Sequence, residues 1–487
     1  MMLVNSKLNS AIPQAAVFVC AAILCAGSLS FAQGQNPSSA ANPYFGSVTV
    51  HPATEDILKL SLDDAVHRGL ETNLGLKQAE YSEKAIDGQK QQALQEFLPT
   101  ITLVGDTGFY QHNLAALGFG PGFIDKIGDL FPGGLPSSFS LITQDTLTEG
   151  KLQFKQTLFS GPVIAGWRAA GAATRAAHFA KMSARGEVVQ QVASAYLHAI
   201  AAASEVDNTR ALVQEAQVLL DQARAAHAAG TASNLDELRA RVQLQAQQQS
   251  LINAQNNLDK ELILLKREIG LDPGQKMNLT DRAPYSDLAT QTPEEVRAVA
   301  YQNRQDYQNL QNQLVEYKAI YNAYRSERLP TLSFSGNYGV SAVGGVGTHG
   351  TFVAEGTLSV PLFREASLRG NEQASRAELD SVNSQLDSLR GQIDQQVRSA
   401  LLDVGATAKL VEVSRSNVEL ATRALSDETD RVNAGVDDNL PLVTAQATLA
   451  NAQTVLVESL YQYNVSKLAL ARAAGILEQQ YRVYLGR

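Results

Sequence analysis

Cysteine, proline and tryptophan are scarce in this chain of 487 residues, at 2, 15 and 1. Two cysteines exclude a disulfide framework and a thiolate metal cluster. Few prolines and an aromatic content of 6% point to long uninterrupted elements rather than a loop-rich enzyme. Forty basic residues against 49 acidic ones leave a net charge of −9. No Lys/Arg block interrupts that balance, so a nucleic-acid surface driven by charge is not expected. Beyond residue 32 there is no run of 18 apolar residues, so the mature chain crosses no bilayer as a helix. Any contact with a membrane must then be made by a closed β-barrel, because lipid offers no partner to unpaired backbone groups. The phosphate-loop and nucleophile-elbow patterns are also missing. Gly345 to Gly350 fits GxGxxG but links two strands and opens no helix, which makes it a turn. His178, His198 and His227 lie on long helices without ligand spacing and read as surface or seam residues. No catalytic, cofactor or metal site is predicted.

Residues 1–32 have the pattern of a secretory signal peptide: Lys7, an apolar run from Ala15 to Ala26, and the small-x-small site Ser30-Phe31-Ala32. Both cysteines, Cys20 and Cys25, fall inside it. Either could serve as a lipoprotein cysteine, but the preceding Val19 and Leu24 are bulky where a small residue is wanted. Residues 33–56 are rich in Gln, Pro, Ser and Ala and read as an extended arm.

The remainder is duplicated. Phe97-Leu98-Pro99-Thr100-Ile101 matches Arg328-Leu329-Pro330-Thr331-Leu332 at an offset of 231, and Leu158-Phe159 matches Leu362-Phe363 at 204. Gly230 and Gly270 match Gly435 and Gly475 at 205. The difference is one longer loop in the first copy, within 111–146. A period near 200 is too long for a solenoid. It gives two repeats, 57–283 and 284–487, each with the order helix, two strands, long helix, sharp turn, long helix.

Opening helices are predicted at 61–96 and 293–327, ended by Leu98-Pro99 and Leu329-Pro330. Strands follow at about 98–110, 147–159, 330–340 and 351–362. They alternate: Ile101, Leu103 and Phe109 against Thr100, Thr102 and Asp106; Leu152, Phe154 and Leu158 against Glu149, Lys151, Gln153 and Lys155. In the second copy Leu332, Phe334, Tyr338 and Val340 oppose Thr331, Ser333, Ser335 and Asn337. Phe352, Ala354, Leu358 and Val360 oppose Thr351, Glu355, Thr357 and Ser359. Segments of about 10 residues with one apolar and one polar face suit lipid outside and water inside. A half-buried sheet on a soluble core has the same pattern.

The helical hairpins are predicted at 163–272, turning at 229–235, and 365–475, turning at 434–441. Heptad-like seams run through Leu212, Ala216, Leu219, Ala223 and Ala226, and through Leu379, Val382, Leu386, Leu389 and Ile393. A third runs through Leu440, Val443, Ala447, Ala450, Thr454, Val457, Tyr461, Asn464, Leu468 and Ala471. A helix of about 65 residues is ~100 Å long, longer than any ordinary domain. At the turns, Gly230 and Gly435 suit a left-handed C′ position. Ser233 and Asp236 suit an N-cap with an acid in the first turn, as do Asp437, Asp438 and Asn439 ahead of Pro441.

Signal peptide, duplicated plan, Leu-Pro before each strand pair and glycine turns together resemble the TolC/OprM family of outer-membrane efflux proteins, over roughly 57–487. The resemblance implies a mainly α protein with a small membrane β-barrel part. Three chains would pool four strands each into a 12-stranded barrel, and long antiparallel coiled-coil helices would form a trimeric α-barrel through the periplasm. It implies a homotrimeric exit duct in the outer membrane, in contact with its lipid. A periplasmic adaptor would dock at the tips Gly230, Thr231, Gly435 and Val436 and bridge to an inner-membrane pump of the RND or ABC type. Family tips often carry a hydrophobic residue after the glycine; Val436 fits and Thr231 departs. The aspartate ring that closes such pores falls on Pro441 and Thr444 here, so that ring is missing; Asp236, with Arg239 and Arg241 as ion-pair partners, is the candidate substitute. A type I protein-secretion duct shares this architecture. A secreted coiled-coil scaffold without a channel is the reading from another class.

Overall fold

The structure is a computed structural model, and it describes residues 42–113, 116, 142–230, 233–281, 285–289, 291–344, 347–434 and 439–486. The expected signal peptide, Thr231, Gly345, Val346 and Gly435 to Asp438 lie outside the described residues. The first repeat runs β1 (Leu58–Leu60), α1 (Leu62–Thr72), α2 (Leu74–Gln95), β2 (Thr100–Asn113), β3 (Ile142–Phe159), α3 (Gly161–Ala228), α4 (Asn234–Glu268). The second runs β4 (Met277–Leu279), α5 (Pro293–Asn303), α6 (Gln305–Ser326), β5 (Thr331–Val343), β6 (Thr348–Ser359), α7 (Glu365–Asn433), α8 (Asn439–Ala473), and a final short helix, α9 (Leu477–Tyr484).

Each opening helix, expected to be continuous, is broken. Asn73 leaves the helix with φ −63° and ψ 131°. Its Oδ1 accepts from the Gly75 and Leu76 amides at 2.9 and 3.3 Å, while its Nδ2 donates to the Tyr44 carbonyl at 2.6 Å. Arg304 makes the equivalent break with φ −67° and ψ 121° and no side-chain cap. Its guanidinium grips Asp306 at 3.0 and 2.6 Å and donates to Gln396 Oε1 at 2.6 Å. Asparagine caps helices readily; arginine does not, so the second break is held by tertiary contacts instead.

From Asn42 onward the arm is docked; residues 33–41 lie outside the described residues. The Val48 amide donates to the Thr72 carbonyl at 2.8 Å, and the His51 amide to the Gly270 carbonyl at 2.9 Å. The chain then enters a parallel pairing of β1 with β4, too short to read from sequence. Tyr196 of α3 ties this ribbon down, donating to the Leu60 carbonyl and lying 2.9 Å from Asp281 Oδ2. Around it sits the main core, with Val188, Val192 and Ile200 of α3, Ile393 and Val397 of α7, and Leu468 and Leu470 of α8.

The 68 residues of α3 extend it to ~100 Å, and α2, α4, α6 and α8 are placed against it. Above the core α2 and α6 flank α3, and α7 follows α6. Below the core α4 and α8 flank α3, and α7 follows α8. The result is a wall one helix thick. In it α8 has two neighbours and needs two apolar stripes. Leu442, Gln446, Leu449, Ala452, Ser459, Tyr463 and Ser466 are buried; of these, Leu449 and Ala452 pack on Ala421 of α7. Ser459 and Ser466 form hydroxyl pairs with Ser414 and Thr407 of α7, both at 2.9 Å. The stripe expected from sequence, one position away, turns toward α3: Thr454 donates to Glu205 at 2.9 Å, and Tyr461 lies 4.9 Å from the His198 ring. In α3 the buried residue is Leu220, where the sequence reading has Leu219; it joins Ala216 and Ala223 against Ala240 and Leu244 of α4.

Candidate functional site

Two places in this wall can act on something that passes along it: the sheet at one end and the helical turns at the other.

The sheet has the order β2-β3-β5-β6, antiparallel throughout. Its strands have 14, 18, 13 and 12 residues, longer than the expected segments of about 10. The register aligns the faces across all four. Leu103 pairs with Leu152, Leu152 with Tyr338 and Tyr338 with Phe352. These four are 79%, 49%, 69% and 73% exposed. One position along, Val104, Lys151, Gly339 and Thr351 make a row on the other face, followed by Asp106, Glu149, Ser341 and His349. On this face Glu149 and Lys151, paired with each other, are sheltered, only 14% and 21% exposed, while Asp106 and His349 nearer the sheet edges are exposed. Asn337 Oδ1 and Thr351 Oγ1 on the same face are buried outright.

A sheet that shelters its central Glu149–Lys151 pair and opens its apolar side is curled with that pair inside. That inverts the arrangement of a soluble protein and is the arrangement of a barrel wall in lipid. A single bulge at Leu158 shifts the register, so that Phe159 rather than Leu158 stands opposite Leu332. Among the described residues the outer edges of β2 and β6 carry no partner strand, and long open edges demand one.

At the far end, Gly230 closes α3 with φ +72°, the left-handed value that favours glycine; its amide donates to the His227 carbonyl at 2.9 Å. The next helix starts with a capping box. The Asp236 amide donates to Ser233 Oγ at 3.3 Å, and the Ser233 amide to Asp236 Oδ2 at 3.1 Å. Asp236 is thus engaged in its own helix start, and Arg239 stands 3.6 Å from it. Arg241 pairs with Glu237 at 2.9 Å, and Arg224 reaches the same Glu237 from α3 at 3.6 Å. Glu237, which the sequence reading did not single out, therefore links both arms of the hairpin. Its signal was the i, i+4 spacing to Arg241. Pro441 is half-buried in the first turn of α8, and the Thr444 carbonyl accepts from Thr448 Oγ1 at 2.9 Å. Leu235, Leu238, Arg239, Val242 and Gln243 of α4 and Val443 of α8 line an apolar groove between the two hairpin ends. Among the described residues no group of three His, Cys, Asp or Glu could hold a metal ion.

The histidines also take places. His178 lies 2.9 Å from Glu83, joining α3 to α2, and His198 lies 2.9 Å from Glu261, joining α3 to α4.

Comparison with known proteins adds to this geometry. The sequence pattern of the family described as "Outer membrane efflux protein" matches residues 65–271 and 296–476, one stretch per repeat. The chain is 22% identical to outer membrane protein TolC of Escherichia coli over 354 residues, 68% of this chain and 70% of that protein. It is 25% identical to outer membrane protein OprJ of Pseudomonas aeruginosa over 311 residues, 61% of this chain and 63% of that protein. The fold matches the crystal structure of the outer membrane protein VceC of Vibrio cholerae with a TM-score of 0.70 at 17% identity, over 85% of this chain and 96% of that one.

Proposed function

The chain belongs to the outer membrane efflux protein family, and on that premise we propose that three copies of it form a passive exit duct. As a member of that family it is an outer-membrane protein that extends into the periplasm. In this reading three sets of four strands close one 12-stranded barrel, and the helical walls continue as an α-barrel. Small molecules enter at the periplasmic end and leave through the water-filled lumen of the barrel. A periplasmic adaptor docks on the turns at Gly230, Thr231, Gly435 and Val436 and connects the duct to an inner-membrane pump, which supplies the energy.

Opening is a repacking of the hairpins at the tip, biased by partner contacts. The gate proposed here comprises Asp236, Arg239 and Arg241 on α4 with Pro441 and Thr444 on α8. Its ion pairs lie within one hairpin, so they stiffen the α3–α4 turn as a unit while the apolar groove beside Val443 lets the two hairpins slide apart.

The observation that carries the reading is the sheet. The middle of its polar face, at Glu149, Lys151, Asn337 and Thr351, is sheltered and its apolar face is open; among the described residues neither outer edge has a partner strand, and the sheet continues into helices ~100 Å long. The test is electrical: the purified protein in a planar lipid bilayer gives discrete conductance steps if it forms a duct, and none if it is a scaffold. Photo-crosslinking residues placed at Thr231 and Val436 test the docking: they capture the adaptor if the tips receive it, and capture by the barrel end instead would contradict it.

A further inference from the structure

Every Asp, Glu and Lys of the four long strands lies on one face. Asp106 of β2 stands opposite Glu149 of β3, and Tyr110 opposite Asp145. Lys155 stands opposite Ser335, and Ser335 opposite Glu355 of β6. With Lys151 these are all the charged residues that β2, β3, β5 and β6 contain. The alternation of the strands puts each of them on the polar side, and the apolar side carries none. Four acids against two lysines leave −2 per chain on this face.

The charges are also sorted along the strands. Counted from the helices, Lys155 and Glu355 share the first charged row, and Lys151 comes next. Asp106 and Glu149 share the row after that, and Asp145 lies nearest the hairpin tips. The half toward the helices holds both lysines; the half toward the tips holds three acids and no lysine. Folding does not ask for this. Like charges directly opposite each other, as Asp106 and Glu149 are, cost stability, and β5 keeps a polar face with no charge at all. Lys151 relieves Glu149. Asp106 and Asp145 have no ion-pair partner among the described residues, and Asp106 is exposed.

Resting on the three-chain duct proposed above, we infer that the strand end of the lumen is a charge filter for cationic solutes, with Asp106 and Asp145 as its specificity-determining residues and Lys151 acting against them. Twelve strands ~4.8 Å apart and tilted by ~40° put the backbone ~12 Å from the barrel axis. A carboxylate that reaches a few ångströms inward is then ~8 Å from the axis, about one Debye length at physiological salt. A solute on the axis therefore feels the acidic rows there, whereas at ~1 M salt, with a Debye length of ~3 Å, it does not. Carboxylate rings in a confined lumen raise the local concentration of cations and repel anions. Permeants bearing an ammonium or guanidinium group are favoured, and carboxylates are held back. The filter stands at the exit, apart from the ion pairs of the helical turn, where each acid already has its own arginine.

The reversal potential of the purified full-length protein in a planar bilayer, under a KCl gradient near ~0.1 M, tests the filter. The parent is expected to pass K⁺ in preference to Cl⁻, and to lose that preference near ~1 M salt. Asp106→Asn should move the permeability ratio toward one by about twofold or more. Asp145→Asn should do the same and covers failure of the first variant to assemble. Lys151→Gln should move the ratio the other way, because it removes the opposing cation and unmasks Glu149. Opposite signs from neighbouring residues do not follow from a general loosening of the barrel. Channels that prefer Cl⁻, or whose reversal potential is the same in the parent and all three variants, overturn the filter and leave the duct standing. A parent protein without conductance steps removes the duct and the filter with it.

Discussion

The backbone of Gly475 lies against the backbone of Arg304: a Cβ placed on Gly475 would stand 2.6 Å from the Arg304 nitrogen. Gly475 also has φ +76°, a value that L side chains rarely adopt. In the first repeat Gly270, at φ +72°, sits in the same way against Thr49 and Thr72 beside the Asn73 break. Each hairpin thus ends by docking on the break in its own opening helix. Gly475→Ala is expected to cost about 2 kcal/mol or more, from backbone strain and the clash together. Thermal denaturation of the variant measures it; Gly391→Ala in α7, where a Cβ meets nothing within 4 Å, is the control and should leave stability unchanged or slightly raised.

Adjacent residues on β3 separate the two faces of the sheet. Leu152 lies in the apolar row and Gln153 on the polar face. Leu152→Arg places a cation in lipid, at a cost of about 2–4 kcal/mol near the membrane midplane. Gln153→Arg places the same cation in water. The yield of folded protein in the outer-membrane fraction should fall sharply for the first and hold for the second. Equal losses would contradict the assignment of faces.

Glu268, at the end of α4, is almost fully buried, and burial pushes its carboxyl up to about 8 against the donated hydrogen bond from Gln191 at 3.0 Å. The unfolded chain releases this proton near 4.5. Between those pH values the folded chain holds more protons, so stability falls as pH rises through the window, by at most roughly 1.4 kcal/mol per pH unit. Glu268→Gln removes that slope. Its melting temperature should exceed that of the parent at pH 8 and converge with it below pH 4.5.

Lys467 runs the opposite way. It is fully buried, 4.5 Å from the Tyr463 ring centre, and donates to the Ser286 carbonyl at 3.3 Å. Burial lowers its ammonium to about 8 from 10.5. Between those values the unfolded chain holds more protons, so this residue makes stability rise with pH. Lys467→Met is expected to stabilise the chain at pH 7 and to lose that advantage toward pH 10.5. A melting series over pH 6–10.5 reads both effects.

The Ser233 cap predicts a local effect. Ser233→Ala removes the side-chain acceptor of the Asp236 amide, leaving it only the Ser233 carbonyl at 3.1 Å, and costs about 1 kcal/mol, confined to the α3–α4 turn. Amide hydrogen exchange should accelerate in the first turn of α4 and remain unchanged at the core around Val192. Acceleration throughout would show that the turn is part of the global folding unit.

Strand faces were legible in the sequence because a period of two survives any error in strand length, whether for Leu103 or for Tyr338. The register was not, since it depends on the bulge at Leu158. The long helices announced themselves through the lack of proline. Which stripe of α8 meets which neighbour did not follow, because a wall helix carries two seams and alanines populate both: Ala450 belongs to the predicted stripe and Ala452 to the one that packs on α7. Asn73 was a readable cap hidden in a helical run. Arg304 had no capping signal, because its break is held by Gly475 and Gln396 from outside its own turn. At the tip, Ser233 and Asp236 were read as a helix start, whereas Glu237 acquires its meaning only when Arg224 arrives from the preceding helix.

The mass of the detergent-extracted native particle tests the central claim most directly. Three chains of 52.3 kDa, less the amino-terminal segment, give about 150 kDa of protein, and native mass spectrometry of the outer-membrane fraction should find that value. A particle of one chain, or a protein recovered only from the soluble periplasm, would contradict it, because four strands alone leave both edges of the sheet open.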